Sequence, residues 1–346
     1  MSLSAKTRVA IVGVGGFGRN HARVYRELAR QDGNLELVGV VDSDAARATA
    51  VAQEYETAAF ASVKELVQSG VQAASVAVPT VEHLKVAREL MEAGVDVLVE
   101  KPLASSLAEA DELIRIAQRA GRVAQVGHLE RFNPAVRATL PLVTQPLFFE
   151  VHRLSVFTPR ALDVDVVLDL MIHDLDIVLS LVKSPVKEVR AVGLPILSGK
   201  VDIANVRMEF DSGCVANFTA SRVSTEKVRK LRFFQPHQYI SVDYTRQDVL
   251  VFSVQGTAGA EKKEERPAPD PSAHPSSPNI GVTRPQVTAE EPLHAELRSF
   301  LDAVRRRSKP VVSLEDGRRA LAVALDILAQ IREHGRRVNL EGLVRQ

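Results

Sequence analysis

The sequence predicts an α/β protein, in which an N-terminal doubly wound parallel sheet is followed by a C-terminal α+β domain with a large, mostly antiparallel open sheet. Three observations support this prediction. Short β-branched runs alternate with helical patterns up to about residue 126, strand patterns dominate residues 186–254, and a glycine-rich turn follows the first strand. Alternating strands and helices are typical of a parallel sheet, whereas successive strands with short turns indicate an antiparallel one.

The length and composition are those of a globular protein with two domains. The chain has 346 residues, which at roughly 100 to 200 residues per domain predicts two domains. With 44 basic and 43 acidic residues, the net charge of +1 gives no electrostatic argument for binding nucleic acid or a membrane surface. Cys214 is the only cysteine, which excludes an internal disulfide, and neither a leader nor a membrane-spanning run is evident. We therefore expect a cytoplasmic protein.

The first domain is predicted to cover residues 1–128. Its strands are nearly all apolar, so both faces of the sheet should be covered by helices. Apolar residues recur at helical spacing between the strands, and Gly33, Gly94 and Gly121 end three of these helices. The predicted strands are 8–12, 35–41, 73–78, 95–99 and 122–126, and the predicted helices are 17–30, 44–55, 81–93 and 107–120.

The second domain is predicted to cover residues 129–292. A helical stretch near 133–143 precedes a strand, and a long apolar helix covers 165–182. Long exposed strands must cover an open face or an edge, so we expect a homodimer or homotetramer formed through this sheet. The six predicted strands after the helix are 186–197, 201–210, 214–223, 227–235, 238–244 and 248–254.

The end of the second domain differs in composition from the rest of the chain. Residues 256–292 contain seven of the 17 prolines and a mixed-charge run, which predicts a mobile loop. A partner-binding motif is the alternative, but no basic-flanked PxxP element stands out. Two amphipathic helices, 293–307 and 314–334, close the chain within residues 293–346.

The first predicted strand runs directly into a GxGxxG motif. Such a turn between a strand and a helix lets backbone N–H groups hold a pyrophosphate. The second strand ends at Asp42, 24 residues after Gly18, where a carboxylate can bind a ribose 2′-hydroxyl. No arginine directly follows Asp42, so the pattern predicts a Rossmann domain that binds NAD rather than NADP. The alternative is a turn kept for packing, with Asp42 as a helix N-cap. The residues of the turn are Gly13, Gly15, Gly16, Phe17 and Gly18.

Polar residues follow the later strands of this sheet. Ligands of a doubly wound sheet bind outside the carboxyl ends of its strands, so these side chains are candidates for the cofactor and substrate sites. Lys101 precedes a proline, which favours an extended backbone and would direct the lysine towards a nicotinamide. A Lys–Pro step also ends strands for structural reasons. The candidates for the cofactor site are Pro79, His83, Glu100 and Lys101, and those for the substrate site are Lys101, His128, Arg131 and Asn133.

The predicted helix 165–182 carries one polar stripe on an otherwise apolar surface. Burial of such groups is costly unless they pair. Asp169 and His173 are one turn apart, so the carboxylate could orient the imidazole to accept a proton from a substrate hydroxyl. A metal site is one alternative, although no second ligand cluster completes it, and a satisfied polar seam or solvent-facing stripe is the other. The stripe consists of Asp165, Asp169, His173, Asp176 and Ser180.

Taken together, these motifs resemble those of the glucose–fructose oxidoreductase, inositol dehydrogenase and MocA (Gfo/Idh/MocA) family. The resemblance implies a Rossmann domain, a C-terminal domain whose open sheet serves oligomerisation, and closing helices that return to the N-terminal domain. It also implies NAD(P)-dependent oxidation or reduction of sugar-like alcohols, with Lys101, Asp169 and His173 as catalytic residues. The segments that carry it are GVGGFG (13–18), PTVEH (79–83), EKP (100–102) and DLMIH (169–173).

Three further segments are most similar to a nucleotide-sugar branch of that family. Its members oxidise the C3 hydroxyl of UDP-N-acetylglucosamine to a ketone, which a partner enzyme then aminates for amino-sugar synthesis. A diphosphate needs cations, and Arg131, Arg153 and Arg160 are the candidates here, although each could equally form a surface ion pair. The alternatives are an inositol or simple sugar dehydrogenase, an NAD-dependent glycoside hydrolase and a non-catalytic NAD- and sugar-sensing regulator. The segments are 126–136, 149–160 and 166–182.

Overall fold

The computed structural model describes residues 6–158, 164–255 and 279–339. These residues form one parallel sheet and one mostly antiparallel sheet, which confirms the predicted fold class. In the parallel sheet the strands are β1 (Thr7–Val12), β2 (Leu35–Val41), β3 (Ala58–Phe60), β4 (Ala73–Val76), β5 (Asp96–Glu100) and β6 (Ala124–Gly127). The helices of this part are α1 (Gly16–Gln31), α2 (Ala45–Glu54), α3 (Val63–Gln68), α4 (His83–Glu92) and α5 (Leu107–Ala120).

The six strands lie in the order β3-β2-β1-β4-β5-β6, and every neighbouring pair is parallel. Two apolar cores cover the two faces of this sheet, which explains why its strands are continuous apolar runs. The carboxyl ends of β1, β4, β5 and β6 therefore meet at one edge, where the polar residues noted above follow them.

Strand β3 and helix α3 were not predicted from the sequence. Ala58–Phe60 has only three residues, and Ala58 and Ala59 are exposed, so the strand lacks both a β-branched run and a buried side. Its backbone pairs with β2 at the sheet edge. Ser62 then caps α3, a helix too short to show a helical period.

The second sheet has eight strands. They are β7 (Phe148–Val156), β8 (Val186–Leu194), β9 (Ile203–Phe210), β10 (Val215–Ser224), β11 (Val228–Gln235), β12 (Gln238–Asp243), β13 (Asp248–Gln255) and β14 (Asn279–Thr283). Their order is β14-β13-β12-β11-β7-β10-β9-β8, and only β7 and β10 are parallel neighbours. Buried and less buried residues alternate along the central strands, so one face packs on helices while the other stays open.

Two predictions for the second domain were wrong in part. The short helix α6 (Pro134–Thr139) lies in its predicted stretch, but residues 165–182 do not form one regular helix, because the π-helical turn Val167–Met171 precedes α7 (Ile172–Leu181). In a π-helical turn, the backbone hydrogen bonds join residues that are five apart in the chain. Residues spaced four apart therefore no longer lie on one face of the helix. The proline-rich segment 256–292 is not all loop. Residues 279–283 form β14, which pairs with β13, and residues 256–278 lie outside the described residues.

The closing helices connect the two sheets. Helix α8 (Pro292–Arg306) packs on the parallel sheet, where Leu297 and Phe300 enter the core. Helix α9 (Leu314–Arg337) begins beside β6 and continues under β8. Glycines permit both approaches, because a Cβ on Gly317 of α9 would lie 2.7 Å from Val126, and one on Gly193 of β8 would lie 2.9 Å from Ile331 of α9. Among the described helices, none is long and apolar enough to cross a membrane.

Candidate active site

The glycine-rich turn after β1 is shaped for close packing on one side and is open on the other. Gly13 has φ of +87°, and a Cβ at this residue would lie 2.6 Å from the carbonyl oxygen of Ala77. A Cβ on Gly18 would lie 1.8 Å from the carbonyl oxygen of Gly13, so neither position has room for a side chain. Around Gly15 and Gly16, by contrast, no atom lies within 4 Å of the Cβ position. The turn therefore presents bare backbone at the N-terminus of α1, as a pyrophosphate site requires.

Asp42 lies beside this turn at the end of β2. Its Oδ2 accepts a hydrogen bond from the N–H of Val14 at 2.8 Å, and its Oδ1 accepts one from Arg47 at 2.8 Å. Burial alone would raise the pKa of Asp42, but the hydrogen bonds from Arg47, Asp44 and Val14 lower it. Asp44, and not Asp42, caps α2. An ionised carboxylate next to the glycine turn fits the ribose of a dinucleotide.

A cavity of about 480 Å³ lies at the carboxyl ends of the strands, between the two sheets. Both domains contribute to its walls: the parallel sheet through Phe17 and Glu100, and the second domain through Leu170. Lys101, Asp169 and His173 all line it, so the structure brings together the three predicted catalytic residues. A pocket of this size that combines apolar walls with a few convergent polar groups is typical of a small-molecule site.

Lys101 interacts with Asp169. Its Nζ donates a hydrogen bond to the backbone oxygen of Asp169 at 2.8 Å and lies 3.4 Å from Oδ1 of the same residue. The two side chains are 19% and 31% exposed, so the pair is partly desolvated at the cavity wall. The ammonium is therefore held at a fixed position facing the cavity.

The expectation that Asp169 orients His173 is corrected by the structure. The carboxylate of Asp169 faces Lys101, because the π-helical turn displaces it from the regular spacing with His173. Nδ1 of His173 is buried and has no hydrogen-bond partner among the described residues. Burial holds the pKa of His173 well below its usual value, and the nearby charges of Lys101 and Arg153 lower it further. His173 is thus a neutral imidazole at pH 7.

The ring of His128 packs against the ring of His173. The ring centroids are 6.4 Å apart in an edge-to-face arrangement, and His128 is buried. Neither ring nitrogen of His128 has a hydrogen-bond partner among the described residues, and burial lowers its pKa. His128 therefore shapes the neutral environment of His173.

The other members of the polar stripe on residues 165–180 have partners within the protein. Asp165 accepts a hydrogen bond from the N–H of Val201 at 2.9 Å, and Ser180 donates to the backbone oxygen of Ile177. Asp176 is buried, and its Oδ2 lies 2.6 Å from Nε of Arg131. Asp169 and His173 of the stripe therefore line the cavity, whereas its other three residues make structural contacts.

Two of the three arginines predicted to bind a diphosphate are paired with carboxylates of the protein. Arg131 pairs with Asp176, and Arg153 is only 2% exposed. Arg153 donates a bidentate pair of hydrogen bonds to Asp174, from Nε at 2.6 Å and from Nη2 at 2.9 Å. Its Nη1 lies 3.0 Å from Oε1 of Glu130. Arg160 lies outside the described residues. These long-range pairs were not foreseen because nothing in the local sequence indicates which carboxylate meets which arginine.

Two further candidates also have structural contacts. The side chain of Asn133 caps α6 and donates hydrogen bonds to Glu130 and to the backbone oxygen of Tyr244. His83 is buried, with Nδ1 3.0 Å from the carbonyl oxygen of Pro102 and Nε2 3.0 Å from that of Val78. His83 thus joins the end of β4 to the segment after β5. Pro79 is exposed at the end of β4.

Behind the cavity, a buried polar chain begins at Glu100. Its Oε1 lies 3.1 Å from Nε2 of His21, and Nδ1 of His21 lies 3.0 Å from Oγ of Ser75. The same hydroxyl is 2.9 Å from that of Tyr25. These residues were not predicted as part of the site because they lie inside regular elements and belong to no motif. Their contacts fix Glu100 at the cavity wall.

Glu296 on α8 is a second buried carboxyl in this region, and it makes the stability depend on pH. Neither of its oxygens has a hydrogen-bond partner among the described residues. Burial is the main reason why its pKa lies well above the usual value, and the negative charges of Glu100 and Asp176 add to it. The protonated carboxyl therefore contributes to the free energy of unfolding. This contribution is fully present below the unfolded-state pKa of about 4.3, and it is lost as the pH rises towards the folded-state pKa.

We expect Glu296→Gln to abolish this part of the pH dependence. Each pH unit within that window lowers the free energy of unfolding of the unmodified protein by up to ~1.4 kcal/mol relative to the variant. Thermal denaturation of both proteins between pH 5 and pH 9 checks the prediction, because the Tm difference should shift in favour of the variant as the pH rises. Parallel Tm curves would contradict it.

Two segments of the chain match the domains of one protein family. Residues 7–128 match an oxidoreductase family with an NAD-binding Rossmann fold, and residues 145–247 match the Gfo/Idh/MocA C-terminal domain. These segments contain the glycine turn, Lys101, Asp169 and His173.

Two similar proteins match almost the whole chain, and a third matches about two thirds of it. A UDP-N-acetylglucosamine 3-dehydrogenase of Acidithiobacillus ferrooxidans is 36% identical over 92% of this chain and 96% of its own length. A solved structure under that name, from the same species, has a TM-score of 0.83 and 34% identity over 95% of this chain and 98% of its own. The scyllo-inositol 2-dehydrogenase (NAD(+)) of Bacillus subtilis is 29% identical over 63% of this chain and 68% of its own length. The resemblance noted in the sequence is therefore confirmed, and the chain belongs to the Gfo/Idh/MocA oxidoreductase family.

Proposed function

We propose that this protein is a cytoplasmic enzyme that uses NAD to oxidise the C3 hydroxyl of UDP-N-acetylglucosamine to a ketone, for amino-sugar synthesis in lipid A or a surface polysaccharide. The observation that carries the proposal is the meeting of Lys101 and a neutral His173 in one cavity next to the glycine turn. The likeness to the Acidithiobacillus enzyme over both full lengths supports the choice of substrate. The ketone would be consumed by an aminating enzyme, which we expect to be an aminotransferase.

The residues of the cavity divide the chemistry between them. NAD, held by the glycine turn and Asp42, would supply the hydride acceptor for the carbon that carries the reacting hydroxyl. His173 accepts the hydroxyl proton, because it is neutral at pH 7 and its ring lines the cavity. Lys101, held by Asp169, donates a hydrogen bond to the same oxygen and stabilises the negative charge that develops on it. We therefore propose His173 as the base, a choice that the sequence leaves open between His173 and Lys101.

We propose NAD rather than NADP as the cofactor. The ionised carboxylate of Asp42 beside the turn favours a free ribose 2′-hydroxyl and repels a 2′-phosphate. Arg47 lies near, but its charge is already paired with Asp42 and Asp44. The ratio of kcat/KM for the two cofactors, measured with one substrate, tests this choice.

The decisive experiment is to follow NADH absorbance after mixing the protein with NAD and UDP-N-acetylglucosamine. An aminotransferase with its amino donor should be present to remove the ketone and draw the reaction forward. We expect NADH to form. If NADH forms with inositol but not with the nucleotide sugar, the protein is an inositol dehydrogenase, as the 29% identity to the Bacillus enzyme would suggest. If NAD binds but no sugar is oxidised, a sensor function is favoured.

We also propose that the open face of the second sheet forms a homodimer or homotetramer interface. An aromatic row crosses its strands, with ring centroids 5.7 Å apart for Phe148 and Phe234, 4.8 Å for Phe234 and Tyr239, and 5.2 Å for Tyr239 and Phe252. Val282 of β14 pairs with Phe252 and extends the row, and its side chain is 56% exposed. A row of this kind on an exposed sheet face is typical of a protein contact.

Phe234→Glu should therefore yield monomers, because a charge in the middle of the aromatic row would be desolvated on association. Sedimentation velocity measures the mass. Val311→Glu is the matched control, since Val311 is an exposed apolar residue outside this sheet and its variant should keep the original mass. A monomeric unmodified protein would disprove the proposal.

A further inference from the structure

Arg229 lies opposite Arg153 in the second sheet, and among the described residues its nearest ion-pair partner is Glu130, at 3.8 Å. The two residues are directly paired in the register of β11 and β7. Like charges at opposed positions of a sheet are destabilising, and here the side chain of Arg153 is buried while that of Arg229 is partly buried. Such an arrangement needs anions on the protein or on a ligand.

Among the described residues, the carboxylates near this pair are engaged by other cations: Asp174 and Glu130 by Arg153, and Asp169 by Lys101. Asp174 accepts two hydrogen bonds from Arg153, and Oε1 of Glu130 lies 3.0 Å from Nη1 of Arg153. Arg229 approaches the same oxygen only to 3.8 Å. Its Nε is buried without a hydrogen-bond partner among the described residues, although the side chain remains 33% exposed. Arg229 is therefore the cation of the cluster that is left to bind an external anion.

The position of Arg229 indicates what that anion belongs to. The residue lines both the catalytic cavity and a second cavity of about 420 Å³. The two cavities share Phe17, Leu129 and Glu130 as well as Arg229, so they meet at the arginine. Lys227 and Arg23 also line the second cavity, and Arg23 is paired with Glu27 and Glu291. A molecule with its sugar beside Lys101 and a diphosphate at Arg229 would extend its nucleoside into the second cavity.

We propose that Arg229 binds the diphosphate of the nucleotide sugar, and that the second cavity, lined by Lys227, holds the nucleoside. This inference rests on the proposed function and replaces Arg131 and Arg153 as the predicted phosphate ligands. A guanidinium is suited to this contact because its planar N–H groups match phosphate oxygens. The same contact would distinguish a nucleotide sugar from a free sugar or an inositol, which carry no phosphate.

The test compares Arg229→Gln with the unmodified protein. We expect the Kd for UDP, measured by calorimetry, and the KM for UDP-N-acetylglucosamine to rise by about 10- to 100-fold, with a smaller effect on kcat and none on the Kd for NAD. Arg119→Gln is the matched control. Arg119 lies on α5, where it is 67% exposed beside Glu92, and it lines neither cavity. Its variant should bind UDP normally.

Thermal denaturation separates this function from a structural one. The loss of Arg229 removes repulsion from Arg153, so the Tm of the free variant should be unchanged or higher. A lower Tm with unchanged UDP binding would overturn the inference. Because UDP binding is measured without turnover, its outcome is independent of the proposed activity. A protein that binds UDP through Arg229 but does not oxidise UDP-N-acetylglucosamine would disprove only the proposed function.

Discussion

Lys101→Ala is expected to lower kcat by about 10²- to 10⁴-fold while leaving the affinity for NAD unchanged, which is the range for removing a group that acts on the reacting proton or charge. Nζ of Lys101 is held 2.8 Å from the backbone oxygen of Asp169 and faces the catalytic cavity. Alanine removes the donor for the developing alkoxide. The glycine turn and Asp42, where we expect the cofactor to bind, are not altered.

Stopped-flow measurement of NADH formation and calorimetric titration with NAD check the two halves of this prediction. Lys85→Ala is the control, because Lys85 is 79% exposed on α4 and is not among the residues of the catalytic cavity. If the Lys101 variant turned over at the rate of the unmodified protein, the proposed mechanism would be wrong. Equal losses of turnover and of NAD affinity would mean that Lys101 acts through the cofactor site.

Alanine at Gly15 and at Gly18 should impair the turn in different ways. A Cβ on Gly15 meets no protein atom within 4 Å, so Gly15→Ala should leave the Tm unchanged and raise the Kd for NAD by at least about tenfold, because the methyl group occupies the place of the pyrophosphate. A Cβ on Gly18 would be 1.8 Å from the oxygen of Gly13. Gly18→Ala should therefore cost about 1–3 kcal/mol of the free energy of unfolding.

Calorimetric NAD titration and chemical denaturation of the two variants separate binding from folding. Each variant is the control for the other, since both add the same methyl group to the same turn. Normal NAD binding by Gly15→Ala would show that the cofactor does not approach the turn. A Gly18→Ala variant with unchanged stability would show that the turn tolerates a backbone shift at this point.

Most of the parallel sheet was predictable because its strands are buried on both sides and are therefore continuous apolar runs. The edge strand β3 was not, because its alanines are exposed and its pairing is through backbone groups. The composition of residues 256–292 likewise concealed β14, a five-residue strand within a long proline-rich segment. Local sequence carries little information where the stabilising contact is a backbone ladder at a sheet edge.

Within the site, motif residues were predictable and their partners were not. The EKP and DLMIH motifs identified Lys101 and His173, but the π-helical turn that directs Asp169 to Lys101 has no sequence signature that we recognised. Arg229 was missed because its significance depends on the register between β7 and β11, which lie more than 70 positions apart in the chain. Only the paired strands show that two arginines oppose each other.

Helix α9 limits how far the two halves of the enzyme can separate during a catalytic cycle. Its 24 residues span about 36 Å as a single rigid rod. The glycine contacts at Gly317 and Gly193 clamp this rod to one sheet near its start and to the other near its end. A hinge that opened the cavity widely would have to break one of these close contacts. Substrate entry and product release should therefore depend on small loop movements around a fixed cleft, rather than on the wide domain opening of a clamshell enzyme.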